Sequence, residues 1–240
     1  MPDYVRAEYP IRCAGDPERV EQAVELILNS KRPVLFCGGG TILSRAFDQV
    51  RAIVDQYRIP IATSASGRGI ISENHPLAIG LTGVYSTEFT RQIISEADLL
   101  ISVGTRNEQF ETANWSCLPP GCRLIHIDID PFEISRNWLP DVAVVGDAAL
   151  VLAEINSRLA EVENSSDTWR TRADVIVEAK EAFCVKVDEE CRTDSIPIRS
   201  KRVVREVNRV FGDNTILVNE NGSQDLWSYH FPYYRVADEC

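Results

Sequence analysis

No apolar run in this 240-residue sequence approaches the ~20 residues that a helix needs to cross a bilayer. The N-terminus, Met1-Pro2-Asp3-Tyr4, has neither a basic segment nor an apolar core, so no secretory signal is expected. Positive charge is short as well. Lys and Arg number 25 against 36 Asp and Glu, giving a net charge of −11 and a pI near 4.8. That argues against a general affinity for nucleic acid or an anionic membrane, and the acidity reads as solvated surface. The three histidines, His75, His126 and His230, are scattered and show no metal spacing. Seven cysteines are present, an odd number, with no Cys-x-x-Cys pair, and Cys37 sits in an apolar run. Reduced thiols in a cytoplasmic protein are expected rather than a disulfide framework. Gly-x-Ser-x-Gly, His-Glu-x-x-His and P-loop signatures are all missing, and no nucleophile has a base near it in sequence. There is no solenoid repeat and no low-complexity tract.

What is present is enough to build a core: 44% hydrophobic and 25% charged residues, as in ordinary globular proteins. The chain is organised around Arg32 to Gly40, Arg-Pro-Val-Leu-Phe-Cys-Gly-Gly-Gly. Val34 to Cys37 lacks polar alternation, which suits a strand buried on both faces of a parallel sheet. Gly38, Gly39 and Gly40 follow, then a helical pattern with Phe47, Val50, Val54 and Tyr57 along one side. Strand, glycine turn and helix together place bare N–H groups where phosphate binds, with glycine supplying positive φ and close approach. Leu43 stands where a dinucleotide fingerprint needs its third glycine, and no acid closes the next strand to hold a ribose, so this is not the standard NAD form. A tight turn without a ligand is the simpler alternative.

Before this unit, Asp16-Pro17-Glu18 predicts a capped helix with Val20, Ala23, Val24, Ile27 and Leu28 inward. After it, buried strands are expected at 60–63, 77–80, 99–103, 123–130 and 142–145, alternating with helical patterns. The fold class is therefore α/β: a six-stranded parallel, Rossmann-like sheet with helices on both faces, followed by a truncated second α/β domain. The divisions expected are an incoming linker at 1–15, a nucleotide-binding-like central domain at 16–160, a linker with a helix at 161–195 and the start of another domain at 196–240. Within the last, a strand is expected at 215–219 and a helix from about Asp225. One strand and one helix cannot bury a core.

Every strand end carries a loop suited to a ligand: Gly38-Gly39-Gly40, Ser64-Ala65-Ser66-Gly67, Gly83, Gly104-Thr105-Arg106, Asp128-Ile129-Asp130 and Gly146-Asp147. A parallel sheet gathers them on one edge. Phosphate would favour the glycine amides and the Arg106 fork, and ribose hydroxyls would favour Asp128 or Asp130. The competing readings are a surface ion pair for Arg106, a helix N-cap for Asp130 before Pro131, and a plain core residue for His126.

Taken in order, Arg32–Gly40, Ile59–Thr63, Ala97–Arg106, Ile125–Asp130 and Val145–Asp147 resemble the central domain of thiamine-diphosphate enzymes of the acetolactate synthase type. The resemblance is strong from Pro17 to Leu159 and continues from Ile196 to Tyr229, which looks like the start of the diphosphate-binding domain. It implies decarboxylation of a 2-keto acid and carboligation in a parent enzyme that uses thiamine diphosphate and Mg2+ and self-associates as a homo-oligomer. The domains that supply the activating glutamate and the metal motif lie outside this chain, which implies that the fragment alone is inactive. A decarboxylase or lyase of the same family, and a non-catalytic nucleotide-binding module, remain as alternatives. FAD or ADP contacts carried across from the family fall on Gly38, Gly39, Gly40, Ser64, Ala65, Ser66, Gly83, Gly104, Arg106, Asp128, Ile129, Glu133, Gly146 and Asp147. Thiamine diphosphate contacts fall on Gly222, Ser223 and Gln224. The family's Gly-Met-His-Gly is Gly83-Val84-Tyr85-Ser86 here, and its Arg-Phe-Asp-Asp-Arg is Arg106-Asn107-Glu108-Gln109-Phe110, so a histidine and a second arginine are replaced.

Overall fold

The computed structural model describes residues 12–162 and 167–211. Its strands are β1 (Pro33–Cys37), β2 (Ile61–Thr63), β3 (Ala78–Leu81), β4 (Leu99–Val103), β5 (Arg123–Asp128) and β6 (Val142–Val145). They form one sheet in the order β3-β2-β1-β4-β5-β6, with every pair parallel. The six-stranded α/β sheet expected from the sequence is the one observed. β1 and β4 are buried at all five positions. A strand covered on both faces has no solvent side on which polar residues could alternate. Their register runs from Pro33 opposite Leu99 to Cys37 opposite Val103.

The helices are α1 (Pro17–Leu28), α2 (Gly39–Leu43), α3 (Phe47–Tyr57), α4 (Glu88–Ser95), α5 (Ala148–Glu161), α6 (Asp167–Cys191) and α7 (Ser200–Phe211). α1 begins as its sequence dictates, with the Glu18 N–H donating to Asp16 Oδ1 at 2.9 Å and Pro17 in the first turn. α1, α3 and α5 pack together, and α4 packs on both β3 and α6. α6 does more than connect. Trp169, Ala173 and Ile176 join the hydrophobic core, and Arg172 donates to the carbonyls of Pro33 (3.0 Å) and Ile93 (3.3 Å). Among the described residues no helix is long and apolar enough to cross a membrane. The strand expected at 215–219 and the helix after it lie outside the described residues.

The structure corrects the sequence reading in three places. The glycine triad does not use positive φ. Gly38 is extended, with φ −101° and ψ −174°, and Gly39 and Gly40 open the short helix α2. The β2–β3, β4–β5 and β5–β6 connections contain no α-helix, so helices alternate with only some of the strands. Residues 109–114 and 131–135 are turns instead. Asp130 therefore caps no helix. Its Oδ1 accepts the Phe132 N–H at 2.9 Å in a local turn, and β5 has already ended at Asp128.

Candidate functional site

All six strands run the same way, so the loops leaving their carboxyl ends share one edge. Open parallel sheets bind ligands there, beside the point where strand order reverses. In this sheet that point falls between β1 and β4.

At the reversal two backbones interlock. The Gly38 N–H donates to the Val103 carbonyl at 2.9 Å, Gly40 to Gly104 at 2.9 Å, and Thr41 to Gly38 at 3.1 Å. Amides that the sequence offered to a phosphate are thus partly committed within the fold. A Cβ on Gly40 would lie 2.8 Å from the Gly104 Cα, and one on Gly38 would lie 2.5 Å from the Thr105 Cβ. Close approach, rather than backbone freedom, is what these glycines supply. Gly39 stays half-exposed and faces Ser66. Ser64 is buried, with its Oγ accepting the Gly67 N–H at 3.2 Å, while Ala65 and Ser66 are exposed beside it.

The β4–β5 connection then roofs part of this edge. It leaves β4 through Gly104 (φ +57°) and reaches the loop after β3, where the Val84 N–H donates to the Phe110 carbonyl at 2.9 Å. Gly83, at φ +68°, lies under that contact, and a Cβ there would meet the Phe110 carbonyl and the Glu111 backbone. Since β3 and β4 are separated in the sheet by β2 and β1, the connection spans the ends of both. Thr105 Oγ1 ties it down by donating to Glu111 Oε2 at 2.6 Å.

Between this connection and the one after β5 is a cavity of about 350 Å³, lined by Arg106, Phe110, Trp115, Glu133, Arg136 and Asn137, with Glu108 and Gln109 at its rim. The Arg106 side chain has no ion pair or hydrogen bond to the described residues, so the surface-pair reading is not realised among them. Its carbonyl accepts from Asn137 Nδ2 at 2.9 Å. Glu133 Oε1 accepts from Arg136 Nη1 at 2.8 Å, while Glu133 Oε2 is buried with no partner. A buried carboxylate oxygen without a donor is costly. A ligand hydroxyl would satisfy it. Phe110 and Trp115 are about half-exposed, at 60% and 45%, and present aromatic surface. Of the seven non-glycine residues with positive φ among the described residues, five lie in these two connections: Asn107, Ala113, Asn114, Trp115 and Ser135. Such strain persists where surrounding contacts over-determine it, commonly at binding sites.

The remaining strand ends do other work. Asp128 is buried at the end of β5. Burial pushes its pKa up, opposed by the hydrogen bond from the Asp130 N–H (2.9 Å) and by His126. Ile129 beside it is exposed. His126 is a core residue, as the simpler reading had it. Its Nε2 donates to the Thr105 carbonyl at 3.0 Å, and burial pushes its pKa down. At β6, a Cβ on Gly146 would lie 2.6 Å from Val151 and 3.0 Å from the Gly15 amide, so this glycine serves packing.

Asp147 caps α5. Its Oδ1 takes hydrogen bonds from the N–H groups of Ala149 (3.1 Å) and Leu150 (3.2 Å), from Ser44 Oγ (2.7 Å) and from Arg12 Nη2 (2.7 Å). Burial alone would raise its pKa, but Arg12 and Ser44 outweigh burial and hold it below the ordinary value near 3.8. Folded Asp147 therefore releases its proton at a pH where the unfolded chain still binds one. Stability from this group is complete above the ordinary value and is lost as pH falls through the depressed one. Asp147→Asn should lower stability at pH 7 by about 1–2 kcal/mol and flatten the acid limb of the wild-type profile. Chemical denaturation at stepped pH reads both, and an unchanged acid limb would refute the assignment.

The structure thus gathers Gly38, Gly39, Gly40, Ser64, Ala65, Ser66 and Gly104 at the reversal, and Arg106 and Glu133 in the neighbouring cavity. It places Gly146 and Asp147 in the packing of α5. Gly222, Ser223 and Gln224 lie outside the described residues. Phe110, Trp115, Arg136 and Asn137 were missed by the sequence reading. The available signals were the three-residue spacing of Glu133 and Arg136 and the asparagines that favour left-handed turns at 107 and 114. Among the described residues no group of three or more His, Cys, Asp or Glu side chains could hold a metal ion.

A parallel sheet in this order, with helices between some of its strands and its strand-end loops on one edge, defines a Rossmann-like class of α/β domain. Residues 20–155 match the family model described as the thiamine pyrophosphate enzyme central domain. The chain belongs to that family. It is 34% identical over 228 residues to a probable acetolactate synthase large subunit of Methanococcus aeolicus, covering 90% of this chain and 38% of that protein. A protein of the same description from Methanocaldococcus jannaschii is 33% identical over 230 residues, covering 93% and 38%. The acetolactate synthase large subunit of Cyanidium caldarium is 29% identical over 215 residues, covering 89% and 36%. The chain spans less than two fifths of the length of these relatives.

Proposed function

We propose that this chain is the nucleotide-binding central portion of a thiamine-diphosphate-dependent enzyme of the acetolactate synthase type. The parent reaction is decarboxylation of a 2-keto acid and joining of the resulting acyl unit to a second carbonyl. Thiamine diphosphate, when bound, supplies the electron sink for that chemistry. The observation that carries the reading is the continuous family match over 20–155, supported by relatives named acetolactate synthase along most of the chain. Residues 222–224 are assigned to the diphosphate, with Mg2+ held elsewhere in the parent. Cytoplasmic location and homo-oligomeric assembly belong to the same proposal.

The role assigned to the described residues is to bind a nucleotide at the carboxyl edge. Glu133 Oε2 accepts a ribose hydroxyl, Arg106 faces phosphate, and Phe110 and Trp115 offer surface for a ring. A cavity of about 350 Å³ lies at the small end of the roughly 300–1,000 Å³ usual for ligand sites. That size favours a nucleoside diphosphate such as ADP over FAD, as do the replaced histidine and second arginine. ADP would place the parent nearer the decarboxylase and lyase branch.

Mass spectrometry of small molecules released on denaturation, with thermal shifts in FAD, ADP and NAD, separates these readings. A ligand at 100 times its Kd stabilises by about 2.7 kcal/mol. FAD in the released fraction would restore the acetolactate synthase branch, and a response to NAD alone would overturn the family's nucleotide chemistry here. Glu133→Gln should weaken ADP about tenfold. Asp128→Asn should leave the fold as stable or slightly more so, because it removes a charge that burial disfavours. Equal ADP affinity in Glu133→Gln and wild type would refute the ribose assignment.

A further inference from the structure

A second cavity, of about 270 Å³, lies along β3 and beneath the second half of α6, and shares no lining residue with the one beside Glu133. Among the described residues β3 is an edge strand that pairs only with β2, so no described strand lies on its other side. α4 and α6 arch over that side, and the Phe89 and Phe183 rings stack at 5.5 Å to close one end. The walls are apolar: Ile71, Ile79, Leu81, Phe89, Val177 and Phe183.

Into this apolar setting comes one ammonium. Lys180 Nζ donates to the carbonyls of Glu73 (2.9 Å) and His75 (2.6 Å). Those bonds fix its position and use two of its three donors. The charges around it do not neutralise it. Glu73 is held by Arg68 through two contacts of 2.5 and 2.8 Å, and Glu181 is exposed to solvent. Burial raises the pKa of the Cys184 thiol against the opposing pull of Lys180. Lys180 itself is pushed by burial down to about 8, opposed weakly by Cys184 and Glu73. A half-buried cation whose partners are neutral carbonyls is under-compensated, and an anion placed on its third N–H relieves that.

We propose that this cavity binds a small monocarboxylic acid with a branched aliphatic or aryl tail. The carboxylate takes the remaining N–H of Lys180 and the tail fills the space between Ile79, Leu81 and Phe183. Such a ligand bridges α6 to the edge strand, so occupancy holds the second half of α6 against the sheet. This site is independent of the nucleotide reading.

The test is calorimetric titration of the 240-residue chain at pH 7 with phenylacetate, phenylacetamide and 2-phenylethylamine. They share a ring and differ in the polar end. Phenylacetate should bind at least about tenfold more tightly than the amide, and the amine should not bind. Lys180→Met should bring the acid down to the level of the amide. Val177→Trp fills the cavity and leaves Lys180 in place, so it should abolish binding of both, with thermal unfolding confirming that the variant folds. Hydrogen exchange of α6 amides near 177–187 should slow in the acid and not in the amine. Equal affinity for acid and amide, unchanged binding in Val177→Trp, or no binding of the acid because another part of the chain fills the cavity, would each overturn the proposal.

Discussion

Gly104→Ala is expected to cost roughly 2–5 kcal/mol, a large share of the roughly 5–15 kcal/mol by which a domain is stable. Two independent effects add there. Gly104 has φ +57°, where a side chain costs about 1–2 kcal/mol. Its Cβ would also lie 2.8 Å from the Gly40 backbone, and overpacking of that kind costs about 1–3 kcal/mol. Other glycines in the same chain separate the two effects. Gly121 has φ +79° with nothing within 4 Å of its would-be Cβ, so Gly121→Ala carries the backbone term alone, about 1–2 kcal/mol. Gly38 has a negative φ and a would-be Cβ at 2.5 Å from Thr105, so Gly38→Ala carries overlap alone. Urea unfolding should therefore rank Gly104→Ala above Gly121→Ala, while Gly38→Ala, whose Cβ would collide with the Gly104 carbonyl oxygen, should be costly through overlap alone. If Gly104→Ala costs no more than Gly121→Ala, the backbones of α2 and β4 are not as closely interlocked as the hydrogen bonds at 2.9 Å imply. Since this contact forms the floor of the strand-order reversal, Gly104→Ala should also reduce any nucleotide-induced thermal shift.

The contrast between these glycines shows what the sequence could and could not reveal. β1 was legible because the apolar run Val34–Cys37 is bounded by Lys31-Arg32-Pro33 and by glycine. α1 was legible because Asp16 is a cap whose partner lies two residues on; Asp147 caps α5 by the same local rule, but it was read as a ligand contact instead. These are local rules. The Gly38–Gly40 triad was recognised, but its positive-φ role was not realised and its close approach is to Gly104, more than sixty residues away, which only the fold brings near. The β4–β5 connection was illegible for the same cause. Ala113 and Trp115 hold positive φ against their own preferences, and the constraint comes from tertiary contacts such as the one between Phe110 and Val84. Glu133 was reached through family resemblance alone. Its unpartnered oxygen is a fact of packing that spacing could not disclose.

Trp169→Ala is expected to detach α6 at a cost of about 3–5 kcal/mol to the contacts it makes. The indole is 2% exposed within the core, and its Nε1 donates to the Ser30 carbonyl at 2.9 Å. Alanine leaves both a cavity and an unpaired carbonyl. Trp169→Phe keeps most of the apolar volume and loses only the N–H, so it should cost about 1–2 kcal/mol. The loss should be local in kind. β1 and β4 pair with other strands, and α6 fastens to the sheet and its flanking loops through side chains: Trp169 to Ser30, Arg172 to Pro33 of β1 and Ile93 of α4, Lys180 to Glu73 and His75. Hydrogen exchange should therefore speed up by at least about a hundredfold at α6 amides, the factor that ~3 kcal/mol confers, with smaller change in β1 and β4. Equal loss of protection in both would mean that α6 is part of the cooperative unit of the sheet rather than a strap fastened to it. Backbone carbonyls along the strap line meet the long cationic side chains of Arg172 and Lys180. A helix with sparse apolar positions can hold by this means where its own apolar stripe would be too narrow.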